Sequence, residues 1–186
     1  GIGRTAKMFG YQHYGITPDI MTLAKALSGG VVPIGATILR ENLGFKQLLE
    51  HCNTFGGNPI SSATACAVLE TIEEEKLMEN AQVVGGYLMD GLKDLQKQFP
   101  DVIGDVRGKG LMVGMKLADK DKNPLTQETM RIVEMSKDDG VIIGRGGMFG
   151  NTIRVKPSLT ITKENVDSML DVVRKSIEAT VKVGAR

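Results

Sequence analysis

Tryptophan is missing altogether from this sequence of 186 residues, and cysteine and histidine occur only twice each. Cys52 and Cys66 are too few for a disulfide framework or a zinc site, so the expectation is an intracellular protein with reduced thiols, Cys66 being core in a helical run. His13 and His51 stand far apart with no acidic partner at ligand spacing, which speaks against a metal centre or a catalytic triad. Neither sign of charge dominates. With 23 basic and 22 acidic residues the formal net charge is +1, and so balanced a chain has no field to recruit nucleic acid or an anionic membrane. No run approaches the ~20 apolar residues of a spanning helix, and no charged-then-apolar leader opens the sequence. What is present is globular material: 41% hydrophobic residues, enough for a packed core in one domain or two small ones. The ten methionines fall mostly on apolar helix faces and read as core.

The stretch 17–36, T-P-D-I-M-T-L-A-K-A-L-S-G-G-V-V-P-I-G-A, carries the first functional candidate. Residues 19–24 form a short apolar run suited to a strand buried in a sheet, and Lys25 closes it. Ser28, Gly29 and Gly30 are small enough to let backbone pass close to a ligand, and a second strand-like run follows at 34–39. An ammonium taken out of water gives up its proton more readily, which suits attack on a carbonyl to form a Schiff base. A lysine at a strand-to-loop junction can equally pack its stem on apolar neighbours and hold its charge in water. Spacing alone leaves both readings open.

The rest of the chain alternates loops, strands and helices. A loop with a helical turn occupies 1–14, a short helix is expected at 41–49, and 53–58 is a loop before Pro59, which suits the first turn of a helix. Thr54 and Gly56 in that loop shape a turn, although a hydroxyl and N–H groups at a helix start also suit a phosphate. Helices are expected at 61–77, with Ala65, Val68, Leu69 and Ile72 inward, and at 80–99. In the second of these, Gly85, Gly86 and Gly91 each cost up to ~1 kcal/mol relative to alanine, so close packing against another element is expected there. Strands follow at 111–117, 141–143 and 152–155, with a helix at 126–139 capped by Gly140, and Gly144, Gly146, Gly147 and Gly150 forming a loop. A final helix from Lys163 to about Val183 turns Val166, Met169, Leu170, Val173 and Ile177 to one side. Two glycine-rich segments fail as nucleotide motifs. Ala6 stands where a third glycine belongs after Gly1 and Gly3, and 104–110 lacks the spacing and the hydroxyl of a Walker loop.

Several blocks occur together in one order: G-x-G-R-T at Gly1, Gly3, Arg4 and Thr5; M-F-G at 8–10; H-x-G-x-x-P-D-I at 13–20; T-L-A-K-A-L-S-G-G; P-I-G-A; and N-T-F-G-G-N-P at 53–59. This order resembles the class III, or omega-type, aminotransferases, pyridoxal-phosphate enzymes of fold type I. The resemblance runs from Gly1 to the final helix. It implies an α/β fold in which 1–79 is the C-terminal part of the large mixed-sheet, cofactor-binding domain and 80–186 is a small α+β C-terminal domain.

The resemblance also implies roles. Lys25 would hold pyridoxal 5′-phosphate through its amine and, once released, move a proton between substrate and cofactor. Thr54 would reach the cofactor phosphate of the neighbouring subunit in a homodimer or tetramer. Arg154, in I-R-V-K-P-S-L-T-I-T, would grip a substrate carboxylate through its planar fork, where position alone fits a surface arginine on a strand as well. Ser158 replaces the second proline usual in that pattern, which leaves the path of the loop open, and Arg107 in R-G-K-G-L-M reads as structural. The implied reaction moves an amino group from an amino acid or amine donor to a keto acid, with alanine to glyoxylate first because of N-T-F-G-G-N-P, D-V-R-G-K-G-L-M-V-G and G-R-G-G-M-F-G-N-T-I-R. Ornithine, putrescine and 4-aminobutyrate are alternative donors, and K-A-L-S-G-G-V-V-P is more similar to the ornithine and putrescine enzymes. A mitochondrial location goes with the alanine–glyoxylate type. The family pattern also has an aspartate for the pyridinium just before the position of Gly1 and a phosphate cup further upstream. The expectation is therefore the second half of a longer protein, inactive by itself, with a noncatalytic remnant as the reading of another class.

Overall fold

The structure, a computed structural model, describes residues 1–47 and 50–184. It divides into two compact units, one made of Gly1–Gly3 with Lys7–Met78 and the other of Arg4–Ala6 with the chain from Glu79 onward.

In the first unit, β1 (Ile20–Leu23) and β2 (Ala36–Leu39) form an antiparallel ribbon with Ile20 opposite Leu39 and Leu23 opposite Ala36. Helix α1 (Pro59–Glu74) follows. Proline stands at its first turn, where a missing N–H leaves nothing unpaired, and the Asn58 side chain accepts from the Ser61 N–H at 3.0 Å. Such a cap contributes about 1 kcal/mol. The helix buries a narrow stripe of Ser61, Ala65 and Ile72, so Cys66 falls outside it and is exposed; the expectation of a core cysteine is corrected. α1 also stops short of the expected residue 77. Three consecutive glutamates, 73–75, load the negative end of the helix dipole, and Lys76 takes a left-handed conformation (φ 52°) that ends the run. The helix expected at 41–49 is only a 3-10 turn at Glu41–Leu43, and its positions 48 and 49 lie outside the described residues.

Helix α2 (Leu77–Gln98), which belongs to the second unit from Glu79 onward, leads to an antiparallel sheet of β3 (Ile103–Lys109), β4 (Met112–Leu117), β5 (Gly144–Gly146) and β6 (Thr152–Val155), in the spatial order β3-β4-β6-β5. Helices α3 (Thr126–Asp138) and α4 (Lys163–Gly184) pack against each other. One face of the sheet supplies Val106, Val113, Met115, Ile153 and Val155 to a buried cluster with Leu88, Leu92 and Leu95 of α2 and Val166, Val173 and Ile177 of α4. That is the amphipathic face expected of the last helix. Two of the three α2 glycines are there for space: a Cβ on Gly85 would stand 2.4 Å from the Gly110 carbonyl carbon, and one on Gly91 2.3 Å from Leu170 Cδ1. Gly86 meets nothing within 4 Å.

Two strands differ from expectation. β3 was not foreseen because its register slips between Ile103 and Asp105, so that Ile103 and Val106, three apart, both face the core and the alternation is broken. β5 lies at Gly144–Gly146 instead of 141–143, and Ile142 is 89% exposed. The apolar residues precede the ladder, and glycines make it.

Candidate functional site

Lys25 stands just past the end of β1. Ala24 is extended, Lys25 turns left-handed (φ 52°), and a single 3-10 turn, Lys25–Ser28, ends at Gly29 with φ 63°. Below the lysine, Leu27 and Ser28 are buried, and the Ser28 hydroxyl donates to the Val32 carbonyl. α1 packs on this turn so closely that a Cβ on Gly29 would come within 3.2 Å of Val68 Cγ2. A non-glycine residue in this conformation carries about 1 kcal/mol or more of strain, tolerated where the surroundings over-determine it. The lysine itself is exposed and the strand before it half-exposed, with Ile20 at 56%, so the expectation of a buried strand and a desolvated amine is corrected. A two-stranded ribbon cannot cover both of its own faces.

Thr54 lies in the tight turn that precedes α1. Asn53 Oδ1 accepts from the Phe55 N–H at 3.1 Å, Asn58 Nδ2 donates to the Phe55 carbonyl at 3.1 Å, and Gly57 takes φ 66°. A Cβ on Gly56 would stand 3.0 Å from that of Asn53. Thr54 is exposed, and its hydroxyl makes no hydrogen bond to another described residue. A cavity of about 540 Å³ separates this turn from Pro33–Gly35. Ser61 Oγ joins its two sides by donating to the Pro33 carbonyl at 3.2 Å. The turn that starts at Lys25 packs on α1 and the turn that holds Thr54 leads into it, while the cavity is lined by neither residue.

Arg154 belongs to the second unit, on the sheet face away from the buried cluster. It is exposed, while its strand neighbours Ile153 and Val155 are buried. The register places Arg107, Gly114, Arg154 and Gly144 in one row across the sheet. Arg107 is occupied by an ion pair with Asp105. The loop after Arg154 is pinned from two sides: Arg4 Nη1 donates to the Pro157 carbonyl at 2.6 Å, and Asn80 Nδ2 to those of Leu159 and Ile161 at 2.7 and 3.0 Å. Ser158, where a second proline was expected, closes a small turn by accepting from the Thr160 N–H at 3.3 Å. Sequence reasoning missed Arg4 and Asn80. Arg4 also donates to the Leu111 carbonyl at 3.2 Å, and burial pulls its guanidinium below the ordinary arginine value. Its place in G-x-G-R-T was the only available signal.

The donor set suits an aldehyde that also carries a phosphate. A reachable amine stands at Lys25 and a free hydroxyl at Thr54, in the turn that precedes the start of α1. The match to known proteins agrees. The family model described as aminotransferase class-III matches residues 1–177, and the chain belongs to that family. It is 41% identical over 180 residues to the mitochondrial alanine–glyoxylate aminotransferase 2 homolog 2 of Arabidopsis thaliana, covering 95% of this chain and 37% of that protein. It is also 41% identical over 180 residues to a leucine/methionine racemase of Thermococcus litoralis, covering 95% of this chain and 40% of the racemase. Among solved structures, an amine transaminase from an uncultivated Pseudomonas species in its pyridoxal-phosphate-bound form superposes with a TM-score of 0.86 at 33% identity, over 97% of this chain and 43% of the other. The chain therefore spans about two fifths of the length of these relatives. Its fold is a portion of fold type I, and pyridoxal 5′-phosphate is the cofactor that goes with the family.

Proposed function

We propose that the protein acts in pyridoxal-phosphate-dependent transamination, with alanine as donor and glyoxylate as acceptor first among the substrate pairs. The observation that carries the proposal is the exposed, left-handed Lys25 seated on a buried turn at the end of a strand. Residues 1–79 are the C-terminal part of the cofactor-binding domain and 80–186 the small domain. When bound, the cofactor supplies an aldehyde for attachment and a ring that withdraws electrons from the substrate carbon. Lys25 offers the amine that holds it and afterwards carries a proton to and from that carbon. Thr54 presents its hydroxyl beside the start of α1 to the phosphate held by a second copy, so the working form is a homodimer or a tetramer. Arg154 accepts the substrate carboxylate in its fork.

The resemblance to the alanine–glyoxylate enzyme supports the substrate pair and a mitochondrial location, but a racemase is equally identical. Ornithine, putrescine and 4-aminobutyrate remain alternative donors. A second reading is favoured by the share of its relatives that the chain spans and by the exposure of Lys25: the 186 residues alone are inactive. The holoenzyme assayed with alanine, ornithine, putrescine and 4-aminobutyrate, each against glyoxylate and 2-oxoglutarate, tests the assignment. Absence of turnover of alanine with glyoxylate would remove the first choice, and absence of amino transfer for every pair would remove the class of reaction.

A further inference from the structure

Arg154 has glycine on either side of it in the sheet: Gly114 is opposite on β4 and Gly144 on β5. Two residues further along β5, opposite Thr152, is Gly146. A Cβ on Gly146 would lie 2.9 Å from both Cδ and Nε of Arg154 and 3.3 Å from Cζ. On Gly144 the nearest approaches would be 3.6 Å to the Arg154 carbonyl oxygen and 3.8 Å to Nε, ordinary contact distances. The arginine side chain therefore does not stand upright off the sheet. It lies along β5, and its guanidinium end passes over bare backbone at Gly146. The backbone of Gly146 is outside the left-handed region, so alanine is conformationally allowed there and only the space over it is special.

We infer that Gly146 is a positioning residue that sets the direction of the Arg154 guanidinium and thereby the selectivity for carboxylate-bearing substrates. The inference rests on the reading of Arg154 as the carboxylate-binding group. A methyl group at position 146 cannot share space with atoms 2.9 Å away. The exposed, flexible arginine moves before the paired backbone does, so the cost falls on the direction of the fork and spares the fold. Fork-to-carboxylate hydrogen bonds depend steeply on that direction, and small displacements of a binding group are expensive in rate.

The test compares Gly146→Ala, Arg154→Ala and the double variant in the holoenzyme, using a keto acid acceptor and an amine donor without a carboxylate. Gly146→Ala should raise KM for the keto acid about tenfold, the effect of losing part of a charge-assisted pair, and leave the amine unaffected. Cofactor absorbance and melting temperature should stay at wild-type values. In the Arg154→Ala background the alanine at 146 should have no further effect, because the group it displaces is gone. Gly144→Ala should shift KM less. An unchanged KM in Gly146→Ala beside a raised one in Arg154→Ala would overturn the inference and leave the parent reading standing. The same tenfold rise in both backgrounds, or an equal rise in Gly144→Ala, would also overturn it. Unchanged KM in Arg154→Ala would defeat the parent reading and this inference together.

Discussion

Adjacent glycines in α2 face opposite fates on conversion to alanine. At Gly86 the added methyl group meets nothing within 4 Å, so Gly86→Ala should gain the helix preference of alanine, up to ~1 kcal/mol. At Gly85 the same gain is available, but the methyl group would stand 2.4 Å from the carbonyl carbon, 2.5 Å from the oxygen and 2.7 Å from Cα of Gly110. Backbone cannot rotate away as a side chain can. Gly110 is hemmed in on another side as well, since its own position for a Cβ lies 2.6 Å from the Arg4 carbonyl oxygen and 2.9 Å from the Thr5 carbonyl carbon. The Leu111 N–H donates to that same Arg4 carbonyl at 2.9 Å, which ties the segment in place. Relief must therefore come from moving α2 away from β3 and β4, and overpacking of this kind costs about 1–3 kcal/mol. The net expectation is a loss of roughly 1–2 kcal/mol for Gly85→Ala and a gain of up to ~1 kcal/mol for Gly86→Ala. Denaturant midpoints of the two variants, followed by far-UV circular dichroism under identical cofactor saturation, measure the difference directly. Equal midpoints, or a more stable Gly85→Ala, would refute the close approach.

Thr54→Ala removes a hydroxyl that no described residue uses, so the fold should hold within about 0.5 kcal/mol. Cofactor retention during dialysis should nevertheless fall, and unaltered retention would contradict a phosphate role for Thr54. A pH effect is expected at the turn after β4. Asp119 is held below its ordinary value of 3.8, first by the Asn123 side chain and then by the Asn123 N–H, at 2.9 and 2.8 Å. Its folded value is depressed, so the stability it contributes is fully present above about 3.8 and fades as pH falls through the lower folded value. The gap between wild type and Asp119→Ala should close on acidification through that window, and a gap independent of pH would show that the carboxylate plays no part.

Periodicity served the helices well and the strands unevenly. Five apolar residues at helical spacing located the buried face of α4, and all five are buried. Pro59 marked the start of α1 because its missing N–H costs nothing there. Cys66 was misplaced because α1 uses so narrow a stripe, which depends on what packs against the helix and not on its own pattern. β3 was hidden by its bulge, and β5 by glycines whose meaning lies across the ladder, in register with Arg154. No local pattern carries such a pairing. For the site, the sequence located Lys25 at the end of a strand and Thr54 in a loop before a helix. It could not show that the lysine is exposed and left-handed, since both follow from what the ribbon and α1 leave uncovered. The glycine-flanked seat of Arg154 and the two-sided pinning of the following loop by Arg4 and Asn80 come from tertiary contacts alone.

The claim on which the functional account depends is that Lys25 is the amine to which the cofactor attaches. Reduction of the holoenzyme with borohydride, followed by proteolysis and mass spectrometry, freezes the attachment as a stable secondary amine and shows which lysine carries it. The account predicts the label on the peptide spanning residues 8–40, at Lys25, and its loss together with the visible cofactor absorbance in Lys25→Ala. Labelling of any other lysine, or the same absorbance in Lys25→Ala, would contradict it.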